Sequence, residues 1–272
     1  IVTPSPDNRL VASPYTKAMC ANSFVDFGAA IIICSVAKAE ALGVSRDKWV
    51  FPHAATDGHA SYLFSERDTF FSSPAIRISG SVCLELAGIT IDDIAHMDLY
   101  SCFPSVVQIT MDELGVDADR TVSTTGGLPF FGGPMNSYVV HAIASTIDQV
   151  RDDPGSRGFV HANGGYATKH SCAVYSTEPP SASFRRADVQ AQIETHPTRI
   201  VDESPDGEAS IESFTVVHDR DGPARALVTA ITDDGRRALA TSDDADLMAA
   251  MLEEEFVGRR AELAPDGTLR VR

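Results

Sequence analysis

The stretch that decides the fold is residues 96–104, His-Met-Asp-Leu-Tyr-Ser-Cys-Phe-Pro. Apolar residues lead up to Tyr100 and predict a short buried strand, and the apolar positions after Pro104 recur with helical spacing up to Gly115. Cys102 is therefore expected at the carboxyl end of a strand and beside the N-terminus of a helix. That position favours ligand binding and a thiolate. A free cysteine is also among the residue types most often buried for packing alone, so both interpretations stay open.

The composition limits the classes of protein that this chain can represent. It has 272 residues, of which 43% are hydrophobic, and this is enough for a sizeable core in one or two domains. The formal charge of −16 argues against nucleic acid and anionic membranes as partners. No apolar run reaches the roughly 18–20 residues that span a bilayer, and no signal peptide is visible. We therefore expect a cytoplasmic protein without a membrane span.

Cysteine and histidine spacing gives no metal signature. The five cysteines are scattered and form no C-x-x-C pair, so we expect reduced thiols and no zinc site. His53 and His59 flank Asp57, but their H-x5-H spacing is not typical of metal ligands, and residues 53–65 are predicted to form a polar loop. No metal is expected.

An α/β pattern extends over residues 1–180. Residues 1–24 are predicted to form a loop, Phe27–Val36 a strand buried on both faces, and Ala37–Leu42 a short helix that ends at Gly43. The other predicted elements are strands at 49–51, 159–162 and 171–175 and helices at 74–87 and 136–151.

Two glycine-rich turns follow strands of this pattern. Residues 124–134 contain two Gly-Gly pairs, and Asn-Gly-Gly-Tyr at 163–166 joins two strands. Paired glycines permit positive φ angles or a close approach of the backbone to a ligand, although they also occur in simple tight turns. Because these turns and Cys102 are expected at one edge of the sheet, we predict that they line one pocket.

The character of the chain changes at Pro179-Pro180. The predicted elements beyond it are strands at 208–218, 224–232, 236–240, 256–264 and 269–271 and a helix at 245–254. About five strands and one helix fit a small barrel, of which the OB-fold is one option. We therefore predict an α/β region over residues 1–180 and a β-rich, OB-like domain over residues 181–272.

The first 178 residues resemble the C-terminal half of a thiolase. Asn22–Val36 is similar to the thiolase segment Asn-Ala-Ser-x-x-x-Asp-Gly-Ala-Ala, and Tyr-Ser-Cys-Phe at 100–103 falls where sterol-carrier-type thiolases have His-Asp-Cys-Phe. Gly126–Pro134 falls where thiolases carry Gly-Gly followed by Gly-His-Pro, and 163–165 falls on the Cys-x-Gly-Gly-Gly turn. The resemblance implies a thiolase-like fold with a mixed sheet between helices.

The resemblance also implies a function. The region from residue 181 is similar to the extra C-terminal domain of mycobacterial-type thiolase-like proteins, and the whole chain is expected to handle acyl-CoA as an acyltransferase of lipid metabolism. Coenzyme A or an acyl-CoA would be substrate or ligand, with no tightly bound cofactor. Cys102 would be the acid/base, and Tyr166 is a second candidate as a general acid. The implied pocket residues are Tyr100, Phe103, Gly126, Gly127, Gly133, Asn163, Gly164 and Gly165.

The chain departs from the thiolase motifs at two positions. Gly133 stands where the family has its activating histidine, and Ala162 stands where it has the cysteine of Cys-x-Gly-Gly-Gly. Since the acyl-accepting cysteine of the family belongs to an N-terminal half, that half is expected as a partner in the same or a separate chain. A homo-oligomer or another partner subunit stays open.

Three interpretations of the activity follow from these departures. The chain is an acyltransferase, a catalytically impaired CoA-binding protein, or a retro-aldol lyase that uses Tyr166 together with a partner subunit. We expect weak or no ordinary thiolase activity and preserved CoA binding, because the motif histidine supplies an oxyanion donor. Histidines 141, 161 and 170 match no motif and are expected to be structural or on the surface.

Overall fold

The computed structural model describes residues 1–271. The strands are β1 (Leu10–Ala12), β2 (Tyr15–Thr16), β3 (Phe51–His59), β4 (His96–Asp98), β5 (Arg157–Gly164), β6 (Lys169–Ser176), β7 (Arg185–Asp188), β8 (Val201–Asp202), β9 (Gly207–His218), β10 (Pro223–Thr232), β11 (Arg237–Ser242), β12 (Arg260–Leu263) and β13 (Leu269–Val271). The α-helices are α1 (Val36–Ala41), α2 (Pro74–Ala87), α3 (Pro104–Leu114), α4 (Tyr138–Asp152), α5 (Gln190–Ile193) and α6 (Ala245–Glu253).

The chain divides into two compact units. The first, called the α/β unit, consists of Ala21–Tyr62 and Thr69–His196. The second, called the β unit, consists of Ile1–Cys20, Leu63–Asp68 and Pro197–Arg272. Each unit has its own buried apolar core.

The α/β unit is built on a five-stranded sheet with the order β4-β5-β6-β3-β7. β5 and β6 form an antiparallel hairpin, whereas β4 runs parallel to β5 and β7 runs parallel to β3. Side chains alternate between the two faces of a strand, so Phe159 of β5 packs with Ile76 of α2 while Val160 packs with Tyr138 and Ala142 of α4. Helices therefore cover both faces, and the predicted mixed α/β fold is confirmed.

The stretch 96–104 forms a strand, a turn and a helix, as predicted. β4 ends at Asp98, two residues before the predicted end at Tyr100. α3 has Pro104 in its first turn and closes on Gly115, whose φ of 67° is the left-handed conformation that glycine adopts at helix ends. The prediction of a helix up to Gly115 is confirmed.

The prediction of a buried strand over Phe27–Val36 is wrong. Residues 21–35 have no regular secondary structure, and Ile32 and Ile33 are 94% and 88% exposed. A strand is stable only where a neighbour bonds its backbone N–H and C=O groups, and no strand among residues 1–271 pairs with this segment. α1 follows close to the predicted position.

The predicted polar loop at residues 53–65 is also wrong in its first part. β3 extends to His59 and pairs with β6 along nearly its whole length. Its small residues Ala54 and Thr56 are buried, while Asp57 and His59 lie on the opposite face of the strand. Small and polar residues in this strand concealed the alternation that identifies a half-buried strand.

The β unit contains an eight-stranded sheet with the main order β13-β12-β9-β10-β11-β8. A β-bridge between Thr241 and Thr268 joins the end of β11 to the start of β13, so the five strands from β13 to β11 form a closed ring. Met248 and Met251 of α6 are buried in the core of this ring. The strands and helix agree with the small barrel expected from the sequence, and the OB-fold topology stays a prediction.

The boundaries of the two units differ from the predicted division at residue 180. Residues 1–20 were expected in the first domain as a loop, but they lie in the β unit, where Ala12 pairs with Val217 of β9. Residues 181–196 were expected in the second domain, but β7 extends the sheet of the α/β unit beside β3. Pairings between such distant segments leave no local pattern in the sequence.

A buried ion pair holds the segment Leu63–Asp68 to the rest of the β unit. Arg237 is fully buried and binds Glu212 in a bidentate manner, with distances of 2.6 Å from Nε to Oε2 and 2.5 Å from Nη2 to Oε1. Its remaining N–H groups donate to backbone carbonyls, including that of Ser65 at 2.7 Å. A buried guanidinium is tolerated where its donors are bonded in this way.

Candidate functional site

Cys102 lies in the turn between β4 and α3. Its side chain is half-buried and packs on the cluster that contains Tyr138 and Val160. The side-chain amide of Asn163, in the neighbouring strand β5, donates to the sulfur, with an Nδ2–Sγ distance of 3.7 Å. The amide Oδ1 of Asn163 is buried and accepts no hydrogen bond from the residues described. The sulfur is thus partly accessible and has a polar donor beside it.

Ser101 brings the first glycine turn to the same place. Its Oγ accepts a hydrogen bond from the backbone N–H of Leu128 at 3.0 Å. A Cβ atom built on Gly127 would lie 2.8 Å from this oxygen, and the φ angles of Gly126 and Gly127 are 94° and 83°. Both the contact and the backbone conformation at Gly127 therefore require glycine.

Asp98 anchors the chain that leads into this turn. It is fully buried at the end of β4, and its Oδ2 accepts from Ser123 Oγ at 2.9 Å and from the N–H of Thr124 at 3.0 Å. Its Oδ1 accepts from the Tyr138 hydroxyl at 2.9 Å. Burial raises the pKa of Asp98, and these hydrogen bonds oppose the rise. The carboxylate has only hydroxyl and amide donors around it in these contacts.

Two hydroxyl groups that bond to Asp98 also bond to the backbone of the glycine turn. Ser123 Oγ accepts from the N–H of Gly126, and Thr125 Oγ1 accepts from the N–H of Gly127, both at 3.0 Å. The sequence analysis did not identify Asp98 as part of the site. A carboxylate between the apolar residues Met97 and Leu99 was the signal that could have found it, because buried carboxylates are rare without partners.

The second glycine turn connects β5 and β6. Gly165 has a φ of 69°, which favours glycine. Tyr166 at its tip is 79% exposed. Within this chain Tyr166 is therefore not the buried tyrosine that was expected to act as a general acid. A partner subunit would have to bury it.

Packing leaves no space for a side chain at Gly133, the position of the family's histidine. Its N–H donates to the carbonyl of Asn22 at 2.8 Å. A Cβ atom built on Gly133 would lie 2.7 Å from Cδ2 of Leu128, a side chain that is only 3% exposed. A histidine at this position would require the buried Leu128 to move.

Aromatic side chains lie on both sides of Cys102 in the sequence. Tyr100 is half-buried and contacts Tyr138 edge to face, with ring centroids 5.6 Å apart. Burial raises the pKa of Tyr100, and the neighbouring Cys102 adds to the rise. Phe103 is 47% exposed. This apolar side chain beside the thiol is available for contact with a ligand or a partner.

The three histidines of this region are buried. His161 Nε2 lies 3.1 Å from His170 Nδ1, and the two rings stack. Burial, with a contribution from His170, holds the pKa of His161 well below its usual range. His141 packs edge-on against Phe27, with ring centroids 4.4 Å apart. These contacts agree with the structural interpretation of all three.

Residues 1–271 contain neither a candidate metal cluster nor a helix suited to crossing a membrane. No cluster of three or more His, Cys, Asp or Glu side chains is arranged to hold a metal ion. His53, one of the histidines considered above, instead places Nε2 at 2.9 Å from the carbonyl of Glu178. None of the helices in this range has the length and hydropathy needed to cross a bilayer.

The structure thus brings part of the predicted site together. Cys102 contacts Asn163, and its neighbour Ser101 contacts Gly127. Tyr100 and Phe103 flank the thiol in the same turn, whereas Tyr166 is exposed at the tip of the hairpin. That these residues form one ligand pocket stays a prediction.

Comparison with known proteins finds similarity to thiolase-like proteins. Residues 188–268 match the family model of the thiolase-like protein type 1 additional C-terminal domain. The chain is also similar to the crystal structure of a monomeric SCP2-thiolase-like protein type 1 from Mycobacterium smegmatis, with 32% sequence identity and a TM-score of 0.86. That match covers 99% of this chain and 60% of the other. A comparison with curated proteins gave no match.

The fold of the chain is thiolase-like, as its similarity to a solved SCP2-thiolase-like protein shows. Together with the match at residues 188–268, this similarity supports a thiolase-like protein with an additional C-terminal domain. The resemblance drawn from the sequence is thereby confirmed.

Proposed function

We propose that this chain binds acyl-CoA thioesters and that Cys102 transfers a proton at the carbon next to the thioester carbonyl. The observation that carries the proposal is the contact between Asn163 Nδ2 and Cys102 Sγ, 3.7 Å apart in a half-exposed turn. A side-chain donor aimed at a thiol stabilises the thiolate, the form that accepts a proton.

The surroundings of Cys102 suit this role. The turn leads directly into α3, and the free N–H groups at a helix N-terminus favour an anion. In the direction of bond formation the thiolate would accept a proton from the α-carbon, and in the direction of cleavage the thiol would return it. Gly126 is exposed and has open space where a side chain would lie, so its backbone leaves room for a thioester to approach, whereas Ser101 fills that space at Gly127.

The nucleophile for acyl transfer would come from an N-terminal thiolase half in the same or a separate chain. A half of this kind would cover the exposed apolar segment 24–33, in which Phe24 and Ile32 are 96% and 94% exposed. This segment starts at the site, because the N–H of Ala21 donates to the carbonyl of Cys102 at 3.1 Å. A partner that pairs with the segment would therefore also reach the thiol.

A second candidate function is CoA binding with impaired catalysis. The packing of Leu128 against Gly133 favours it, since the space for the activating histidine is filled. Loss of one oxyanion donor lowers the rate by roughly 10²–10³-fold. Retro-aldol cleavage through Tyr166 has less support, because that side chain is 79% exposed in this chain.

Exchange of α-protons tests the leading proposal without requiring the nucleophile. The wild-type protein should exchange the α-protons of acetyl-CoA with deuterated water, as followed by NMR. Cys102→Ala should lower that rate by about 10²–10⁴-fold, the usual contribution of a general base. Cys34→Ala is the matched control, because Cys34 is an exposed cysteine outside the site.

Two further measurements separate the candidates. Calorimetry should show CoA binding by both wild type and Cys102→Ala, and acetoacetyl-CoA thiolysis should be weak in both. Equal exchange rates in wild type and Cys102→Ala would contradict the role of Cys102, whereas CoA binding without any exchange would favour the binding protein. Thiolysis at ordinary thiolase rates would show that another group replaces the histidine.

A further inference from the structure

A second feature of the α/β unit lies beside Asn163. A cavity of about 330 Å³ opens where the β5–β6 hairpin meets the end of β3, and Asn163 and Gly164 form part of its wall. The volume is at the lower end of the range of small-molecule sites, about 300–1,000 Å³. Ala162, Asn163 and Gly164 of its wall fall on the Cys-x-Gly-Gly-Gly turn of the thiolases, whereas His59 and Lys169 match none of the thiolase motifs quoted above.

The register of the strands explains why the cavity exists. Gly164, Lys169 and His59 form one row across β5, β6 and β3, and Ala162 belongs to the row formed with Ser171 and Asp57. These residues share one face by alternation, and it is the face on which α4 packs around Val160. Ala162 and Gly164 have little or no side chain to fill the space farther along β5.

The wall contains one carboxylate, Asp57, and one ammonium, Lys169. Among residues 1–271, the ammonium of Lys169 makes no ion pair within 4.0 Å. The carboxylate of Asp57 is already bound to Arg186, with an Oδ1–Nη2 distance of 2.7 Å. His59 points Nδ1 at the carbonyl of Ala60 at 2.9 Å and keeps Nε2 for another partner. In a chain of net charge −16, an unneutralised lysine in a cavity is a local site for an anion.

Gly164 also fixes where the lysine lies. A Cβ atom built on Gly164 would sit 3.2 Å from Cε and 3.9 Å from Nζ of Lys169. The lysine side chain therefore extends over the start of the glycine turn, in contact with the strand that carries Asn163. Its ammonium thus lies near Gly164, the sequence neighbour of the residue that contacts Cys102.

We propose that this cavity is a subsite for an anionic group of the substrate, a phosphate or a carboxylate, bound by Lys169 with His59 as a second polar contact. The inference rests on the proposed function for its substrate class, since an acyl-CoA carries phosphates on the CoA part and can carry a carboxylate on the acyl part. Asn163 links the two places, because its side-chain amide contacts Cys102 and the residue also lines the cavity.

Inorganic phosphate tests the subsite alone. Titration of the 272-residue protein, followed by calorimetry, should show weak binding that Lys169→Gln reduces roughly three- to tenfold, the effect of one charged contact. Lys38→Gln is the matched control, because Lys38 and Lys169 are both exposed and only Lys169 lines the cavity. Lys169→Arg should retain most of the binding. Equal weakening in Lys169→Gln and Lys38→Gln, or none in either, would overturn the proposal.

Two ligand pairs identify the source of the anion. If Lys169→Gln lowers the affinity for CoA but not for dephospho-CoA, the anion is the 3′-phosphate. If it lowers the affinity for succinyl-CoA but not for butyryl-CoA, the anion is an acyl carboxylate. If phosphate binds through Lys169 but no CoA compound binds, the anion site stands and the proposed function fails. If every CoA compound binds Lys169→Gln as tightly as wild type, the subsite is refuted and the proposed function stands.

Discussion

Replacing Asp98 by alanine should destabilise the α/β unit more than replacing an exposed carboxylate by alanine does. The side chain is fully buried and receives hydrogen bonds from hydroxyl groups and from the backbone N–H groups of Thr124 and Thr125. The hydroxyl groups have other partners within reach, such as Tyr138 and Thr125, whose oxygens lie 2.7 Å apart. The backbone N–H groups of Thr124 and Thr125 cannot rotate to another acceptor in this way.

The magnitude follows from those two donors. An unsatisfied buried donor costs about 1–3 kcal/mol, so with the loss of packing we expect Asp98→Ala to lower the free energy of unfolding by about 3–5 kcal/mol. Since small domains are stable by only about 5–15 kcal/mol, this is a large fraction of the total. Asp98→Asn keeps one acceptor and the volume, and we expect about 1–2 kcal/mol for it.

Urea unfolding followed by circular dichroism measures this difference, with the exposed Asp119→Ala as control. Amide hydrogen exchange gives a second measurement, because the N–H groups of Gly126 and Gly127 are held by Ser123 and Thr125, which bond to Asp98. Their exchange should accelerate in Asp98→Ala. A loss below 1 kcal/mol together with unchanged exchange at both glycines would refute the anchoring role of Asp98.

Two other perturbations have expected outcomes. The folded-state pKa of His161 is well below its usual range, so below about pH 6.5 the imidazole is protonated in the unfolded chain but not in the folded one. The free energy of unfolding should therefore fall on acidification by up to about 1.4 kcal/mol per pH unit. Urea unfolding at pH 7 and pH 5 should show a smaller fall for His161→Gln than for the wild type. The exposed residues Ile32 and Ile33 should hold the N-terminal half, so the double variant Ile32→Asp/Ile33→Asp should lose co-purification with the unmatched part of the Mycobacterium smegmatis relative, while Val257→Asp, in the β unit, should not. Equal pH dependence in the first case, or retained co-purification in the second, would contradict the respective expectation.

Elements with a strong local pattern were predictable from the sequence. The strand, turn and helix around Cys102 follow from apolar spacing, from Pro104 at the helix start and from Gly115 at its end. The β5–β6 hairpin follows in the same way from two apolar runs that flank a glycine turn. In each case the partner that completes the structure is close in sequence.

Elements that depend on a distant partner were not predictable. The run Phe27–Val36 has strand-like composition, but composition does not show whether a neighbouring strand lies in the same chain. β1 pairs with β9 across about two hundred residues, and β7 pairs with β3, so both fell on the wrong side of the predicted boundary. Loop closure over such distances leaves no periodic signal in either segment.

The residues of the candidate site were also predictable only where the local sequence identifies them. Cys102 was identified from its own position, whereas its contact with Asn163 joins residues 61 apart in sequence. Asp98 and Lys169 were missed, since a single charged residue in a strand is usually solvent-exposed and its partners lie on other elements. The partners that assign Asp98 a role come from residues 123–125 and Tyr138.

The proposed steps differ in the groups that they require. The thiol of Cys102, the amide of Asn163 and the ammonium of Lys169 all belong to the α/β unit, so the proposed proton transfer and anion binding would use residues of this unit. Activation of a nucleophile is different, because Leu128 fills the space at Gly133. If proton exchange and ligand binding occur without thiolysis, the reaction is limited at carbon–carbon bond cleavage and not at substrate recognition. Adding an N-terminal half should then increase the rate of thiolysis while leaving the affinity for the anionic group unchanged.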